Sequence, residues 1–485
     1  MDPRLVSAME LARRLRAREI SARELVELHL EQLERTNPHT NAVVRARQRE
    51  ARREADAADR RLAQGGDDLP PLLGVPCTIK ESFSFTGMPQ SAGLLARKDA
   101  IATEDATVVA RLRAAGAIPL GVTNISELCM WMESVNRVYG RSSNPYDASR
   151  IVGGSSGGEG AAIASGVSPF GLGSDVGGSI RGPAYFNGIF GHKPSPMVVP
   201  NSGQYPEAEG AIRRYLCTGP MARRAEDLMP LLRIMAGPDE RYPECAPASQ
   251  LGDPDTVSFE GRALISIESS GAIPVSPELL RAQRRAAEHL VSRGMQLRVV
   301  ELPALRRQFE IWSAMMGLAS EVPFGTLLGD GAPISPWREV LKWAVGASAH
   351  TWMALGTAIT DPLVRRFPKQ AERMAALGLQ LKQEVQALLG DEGLLLYPPY
   401  ATTAPKHRVP ARWATRLHMP WSYHAIFNVL ELPATQVPLG LAQDGLPLGV
   451  QVVSAPMNDH LTIAAALELE RAFGGWRPPA LAGLG

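Results

Sequence analysis

Aromatic residues are scarce in this chain, only 6% of 485, so its core must pack mainly aliphatic side chains, and the 45% apolar content is ample for that. Cysteine is scarcer still. Cys77, Cys129, Cys217 and Cys245 are widely separated and lack the paired spacing of metal ligands, which argues against a disulfide scaffold and a structural zinc and fits reduced thiols in a cytosol. No charge of one sign dominates: 51 basic residues face 50 acidic ones, which provides no basic field for nucleic acid. No window reaches the roughly 18 uninterrupted apolar residues of a membrane span. Met1-Asp2-Pro3-Arg4 runs straight into a charged amphipathic segment with no apolar signal core. The expectation is a soluble, cytoplasmic protein with no membrane span, whose oligomeric state the sequence leaves open.

What the chain does have is glycine placed around serine. Ser179 closes Gly173-Ser174-Asp175-Val176-Gly177-Gly178-Ser179, and 24 positions upstream Ser155 lies within Gly153-Gly154-Ser155-Ser156-Gly157-Gly158. Glycines before a serine let the backbone approach a bound molecule and turn successive N–H groups into one concavity, the form an oxyanion hole takes. Further upstream the apolar run Leu73-Gly74-Val75-Pro76-Cys77-Thr78-Ile79 reads as a buried strand delivering Lys80 at its end. Serine chemistry needs a proton acceptor, usually histidine. The nine histidines are scattered, and no Gly-x-Ser-x-Gly elbow offers them a partner. A lysine whose ammonium is disfavoured by burial can take that role.

These elements resemble the amidase signature family and its Ser-cisSer-Lys triad, with Lys80, Ser155 and Ser179 at the matching positions. Thr123-Asn124-Ile125-Ser126-Glu127-Leu128-Cys129-Met130-Trp131, the run from Phe186 to Pro196, and Gly445 to Gln451 are similar to the fatty-acid amide hydrolase branch. The resemblance covers most of the chain and is weakest between about residues 240 and 390. It implies an amide hydrolase working through an acyl-enzyme. Ser179 would be the nucleophile, Ser155 the bridging hydroxyl and Lys80 the base. The N–H groups of Val176, Gly177, Gly178 and Ser179 would face the oxyanion, Ser156, Asp175 and Arg181 would brace the triad, and Cys129, Met130 and Trp131 would wall the substrate pocket. Members of that branch commonly carry an N-terminal membrane anchor, which the opening residues here do not match, so membrane residence is not carried over.

Each element also has a plainer reading. Alone, a Gly-Gly-Ser-Ser-Gly-Gly stretch reads as a flexible loop or a phosphate nest. It does not continue as Gly-x-x-x-x-Gly-Lys-Ser/Thr, and no Gly-x-Gly-x-x-Gly follows a strand with an acidic partner, so no nucleotide cofactor is implied. His192 and Lys193 read as structural residues. It is Lys80, Ser155 and Ser179 together that favour catalysis.

Capping boxes at Ser7/Glu10 and Ser21/Glu24 predict helices over about 8–18 and 22–35, the second stopped by Asn37-Pro38, with a third helix over about 43–63. Strands are expected at 73–80, 118–122, 170–173, 263–267, 297–302 and 449–453, alternating with helices at 106–115, 156–165, 277–293 and 461–473. That order is α/β, and the resemblance adds a large mixed β-sheet covered by helices on both faces. Residues 1–485 are expected to form a single domain. Apolar and aromatic side chains crowd 303–390, which reads either as helices packed on the sheet or as a substrate lid or acyl channel. The expected substrate is a small-molecule amide with an apolar acyl or aryl group. Aryl carbamate (urethane) and ester hydrolysis are the alternatives within the same chemistry. An amidotransferase subunit and a non-catalytic scaffold are the remaining classes.

Overall fold

The computed structural model describes residues 2–407 and 419–484. Its centre is an eleven-stranded sheet, whose strands we number in chain order. They are β1 (Val43–Ala46), β2 (Pro76–Lys80), β3 (Ile118–Thr123), β4 (Phe170–Asp175), β5 (Phe190–Lys193), β6 (Cys217–Ala222), β7 (Ala263–Ser266), β8 (Gln296–Val299), β9 (Leu394–Tyr397), β10 (Ala434–Leu441) and β11 (Pro447–Ser454). Their order across the sheet is β1-β3-β2-β4-β6-β5-β10-β11-β9-β7-β8. The expected α/β class and large mixed sheet with helical cover are what the structure shows. Fully buried strands such as β2, β3, β4, β6 and β11 read as continuous apolar or small-residue runs because both of their faces are covered.

β2 is parallel to β3 on one side and to β4 on the other. Their carboxyl ends therefore open on the same edge, where open α/β sheets bind ligands. Lys80 lies at the end of β2, and the loop carrying Ser179 leaves the end of β4.

Several boundaries differ from the sequence expectation. The helix Ala22–Thr40 runs through Pro38 and stops only at Asn41, which is left-handed at φ 45°. Proline lacks one donor, a small loss in a last turn, and Asn37 holds the exit by exchanging two hydrogen bonds with the Val43 backbone, at 2.9 and 2.8 Å. The expected third helix is divided. Val43–Ala46 pairs antiparallel with β3, and the helix begins at Gln48. At Ser7 only half of the capping box forms: its hydroxyl accepts from Glu10 N–H at 3.0 Å, while the Glu10 carboxylate turns to Arg13 and Arg14, each at 2.7 Å. Both halves form at Ser21 and Glu24.

Residues 303–390 are helical, with helices Gln308–Ala319, Phe324–Leu328, Pro336–Ala344, Trp352–Arg366 and Pro368–Leu389. Part of this segment builds an apolar cluster separate from the main core, joining Phe324, Leu328, Ala354, Leu355 and Ala358 to Ala92, Leu94, Ile125, Leu128 and Cys129.

Candidate active site

Lys80 is fully buried, and its Nζ donates to Ser155 Oγ at 2.7 Å and to Ser174 Oγ at 2.9 Å. Burial pushes its basicity down. Cys129 and the carboxylates of Asp175 and Glu159 pull it part of the way back. Ser174 was quoted in the glycine motif without a role. Its contact with Lys80 joins two strands and spans 94 residues of sequence, and no local pattern announces it.

The Gly154–Ser155 peptide is cis, as the resemblance implied. Gly154 permits a close approach: a Cβ there would overlap the Trp131 carbonyl oxygen. Ser155 is followed by the helix Gly157–Ala164. Ser179 lies beside it, its carbonyl accepting the Ser156 N–H at 3.3 Å. Relative exposure is 0% for Lys80, 1% for Ser155 and 8% for Ser179, so of the three hydroxyl and amine groups Ser179 is the one nearest solvent.

Asp175 and Arg181 form a fully buried ion pair at 3.0 Å that organises the glycine loop. The carboxylate accepts from the N–H groups of Gly178, Ile180 and Arg181 at 2.7, 3.1 and 3.3 Å. Arg181 goes on to the His424 carbonyl, Gln451 Oε1 and Asn428 Oδ1 at 2.8–2.9 Å. Burial alone would raise the pKa of Asp175, but the Arg181 charge and its hydrogen bonds hold the carboxyl well below the usual carboxylate range. Asp175 and Arg181, for which the resemblance implied a bracing role, thus hold the glycine loop together by these bonds. Asn428, Gln451 and His424 join them from distant segments that sequence reasoning did not assign.

Two expectations need correction. The Gly178 N–H is occupied by Asp175, so it braces the loop instead of facing an oxyanion; Gly177 and Ser179 N–H carry no intramolecular hydrogen bond among the described residues. Gly178 itself is required by space and conformation, since φ is +105° and a Cβ would overlap that of His424. Ser156 does not brace through its side chain either. Its Oγ is buried without a hydrogen-bond partner among the described residues, and the contact to Ser179 is made by its backbone.

Around this centre, Cys129 lies against Lys80, Met130 packs on the second apolar cluster and Trp131 on the main core. Leu128 and Cys129 are left-handed, at φ 53° and 58°. Their turn is tied to the helical segment by Glu127, which accepts from the Thr351 N–H and meets His350 Nδ1, both at 2.8 Å. On the opposite side, Trp312 Nε1 donates to the Val176 carbonyl at 3.0 Å and stacks edge-on against Trp421, with ring centroids 4.7 Å apart. A Cβ on Gly177 would sit 3.2–3.3 Å from both indoles, which places these rings directly over the glycine loop. Trp312 was visible in the aromatic run, whereas Trp421 carried no signal.

The His192 ring spans Thr435 Oγ1 at 2.8 Å and Asp459 Oδ1 at 3.0 Å. Among the described residues no cluster of His, Cys, Asp and Glu suits a metal ion, and no helix is long and apolar enough to cross a membrane.

A family model described as Amidase matches residues 24–463. The chain is 46% identical to fatty-acid amide hydrolase 2 of Homo sapiens, over 98% of this chain and 90% of that protein. It is 32% identical to the indoleacetamide hydrolase of Bradyrhizobium diazoefficiens, over 96% of this chain and 86% of the relative. The solved structure of 6-aminohexanoate cyclic dimer hydrolase is similar with a TM-score of 0.82 at 26% identity, covering 99% of this chain and 100% of that one.

Proposed function

Since the chain belongs to the amidase signature family and is an amide hydrolase acting on small-molecule amides, we propose that it works through an acyl-enzyme on Ser179, with Ser155 relaying protons to and from Lys80. The observation that carries this reading is the 2.7 Å hydrogen bond from the buried Lys80 amine to Ser155 Oγ. Neutral Lys80 takes the Ser155 proton, Ser155 takes the Ser179 proton, and the Ser179 alkoxide adds to the amide carbon. The proton then returns through Ser155 to the leaving nitrogen. An amine departs only when protonated, and a hydroxyl serves both directions because it donates and accepts. Water repeats the attack on the acyl-enzyme, releasing acid and restoring Ser179.

The oxyanion in this reading rests on the N–H groups of Val176, Gly177 and Ser179, each such donor being worth about 3–4 kcal/mol of transition-state stabilisation. Asp175, through the Gly178 N–H and Arg181, keeps that loop rigid.

We further read the substrate as carrying an apolar acyl or aryl group. The edge-on indoles of Trp312 and Trp421 over Gly177 support this, as do the fatty-acid and indoleacetamide substrates named for the two relatives. Cys129, Met130 and Trp131 form the facing wall, and 303–390 serves as lid or channel. Trp337, Leu341 and Val345 are 68–78% exposed, so helix packing does not account for all of that segment's apolar content. One continuous eleven-stranded central sheet and a family match over 24–463 support one amidase-signature domain. Aryl carbamates and esters would enter the same cycle, because each places an acyl carbon before a leaving heteroatom.

Intact-mass labelling with a fluorophosphonate tests the nucleophile. Wild type is expected to gain one adduct and Ser179→Ala none. An adduct retained by the folded variant would remove Ser179 from the role. A panel of p-nitroanilide, acyl-ester and aryl-carbamate substrates of graded chain length then ranks the substrate classes.

A further inference from the structure

Glu159 lies in the first turn of the helix Gly157–Ala164, four residues beyond Ser155, and is fully buried. Both carboxylate oxygens are held by strand residues. Thr123 Oγ1 donates to Oε1 at 2.9 Å and Thr78 Oγ1 to Oε2 at 2.6 Å. These threonines flank Lys80. Thr78 precedes it by two residues and so shares its face of β2, while Thr123 is its register partner on β3. One carboxyl therefore ties the helix that follows Ser155 to both strands that hold the lysine. The sheet makes room for it at Gly171, opposite Thr78 on β4, where a Cβ would overlap Oε2.

No ion pair reaches this carboxyl among the described residues, and burying one unpaired is costly. Burial pushes its pKa up to about 8, against the opposing pull of the two threonine hydroxyls and the Lys80 charge. The surrounding hydroxyls suit either charge state. Thr78 Oγ1 also meets Ser168 Oγ at 2.9 Å with either atom as donor, so the pair can reverse when the carboxyl gains a proton.

The geometry points to Glu159 as a positioning residue for Lys80, pinning the Ser155 helix against β2 and β3 and supplying the negative charge that balances the amine while it holds the proton passed up from Ser155. This rests on the reading of Lys80 as base. The other groups facing the pair are accounted for. Lys80 also feels the charge of Asp175 and the influence of Cys129, and Asp175 is already paired with Arg181. Cys77 lies beside Glu159 with its thiol kept protonated by burial.

The sign of the effect follows from charge. Glu159 acts on Lys80 by charge where its own carboxyl is ionised, toward and above its raised pKa of about 8; there a carboxylate favours the Lys80 ammonium, so a neutral amide at 159 lets Lys80 lose its proton at lower pH. The test is the pH profile of kcat/KM on an activated ester for wild type, Glu159→Gln, Thr123→Val and Lys80→Ala, with thermal denaturation to establish folding. The acidic limb is expected to move to lower pH in Glu159→Gln. It should move less far in the same direction in Thr123→Val, where one donor to the carboxylate is lost; that variant carries the test if Glu159→Gln does not fold. A limb in folded variants superimposable on wild type overturns the inference while leaving Lys80 as base. A limb that persists in Lys80→Ala overturns the assignment of Lys80, and this inference with it.

Discussion

Asp175 does more than any other single carboxylate at the site. It receives three backbone N–H groups of the glycine loop and the Arg181 guanidinium, all within a fully buried cluster. Removing one partner of such a pair leaves the other charged and unpaired, at a cost of about 3–5 kcal/mol. Asp175→Asn is therefore expected to lower the free energy of unfolding by that order and to depress turnover on every acyl substrate alike; a variant of wild-type stability would count against the bracing role. At this scale the Ser155 and Ser179 runs stand out by their glycine and serine spacing and Lys80 by the apolar run before it, while the roles expected of these residues and of Asp175 and Arg181 came from the family resemblance. Ser174 and Glu159 stood in the same runs, yet their roles were not readable. Ser174 meets Lys80 from 94 residues away and Glu159 meets Thr78 and Thr123 from 81 and 36, and only the pairing of β2 with β4 and the docking of the helix on β2 and β3 bring them together. The Gly178 N–H was misassigned for a related reason: spacing shows that a loop can present donors but not which donor its own carboxylate will claim.

Among the elements, the helices Phe324–Leu328 and Trp352–Arg366 meet the Ile125–Cys129 turn through their own apolar cluster. Glu127 closes that contact by holding His350 and the N–H of Thr351, the residue that caps the second helix. Loss of buried hydrogen bonds of this kind costs about 1–3 kcal/mol. Glu127→Ala should accordingly raise amide hydrogen exchange in the first turn of Trp352–Arg366 while leaving β2, β3 and β4 protected. Unchanged exchange there would show that the apolar cluster alone holds the segment. Helix starts were legible where a side-chain cap announces them, as at Ser21. Strands β5, β6, β9 and β10 were missed because they are short or interrupted by glycine and proline. β1 was missed because Val43 and Val44 adjoin a strongly helical alanine- and arginine-rich run.

Over the whole molecule, the strand order places the ends of β2, β3 and β4 side by side although they lie far apart in the chain. That arrangement delivers Lys80, the glycine loop after β4 and the Glu127–Cys129 turn after β3 to one edge. The class and the mixed sheet were legible from alternating elements and from family resemblance. The strand order was not, since it depends on long-range pairing that local patterns do not encode. The account turns on Lys80 as the base whose proton reaches the leaving group, and one comparison tests this directly: kcat/KM of Lys80→Ala against wild type on a matched amide and ester sharing one acyl group. Amide cleavage should fall by about 100-fold or more, and ester cleavage by at least about tenfold less, because an alkoxide leaves with less need of a proton. Equal losses on the two substrates would contradict the proton relay.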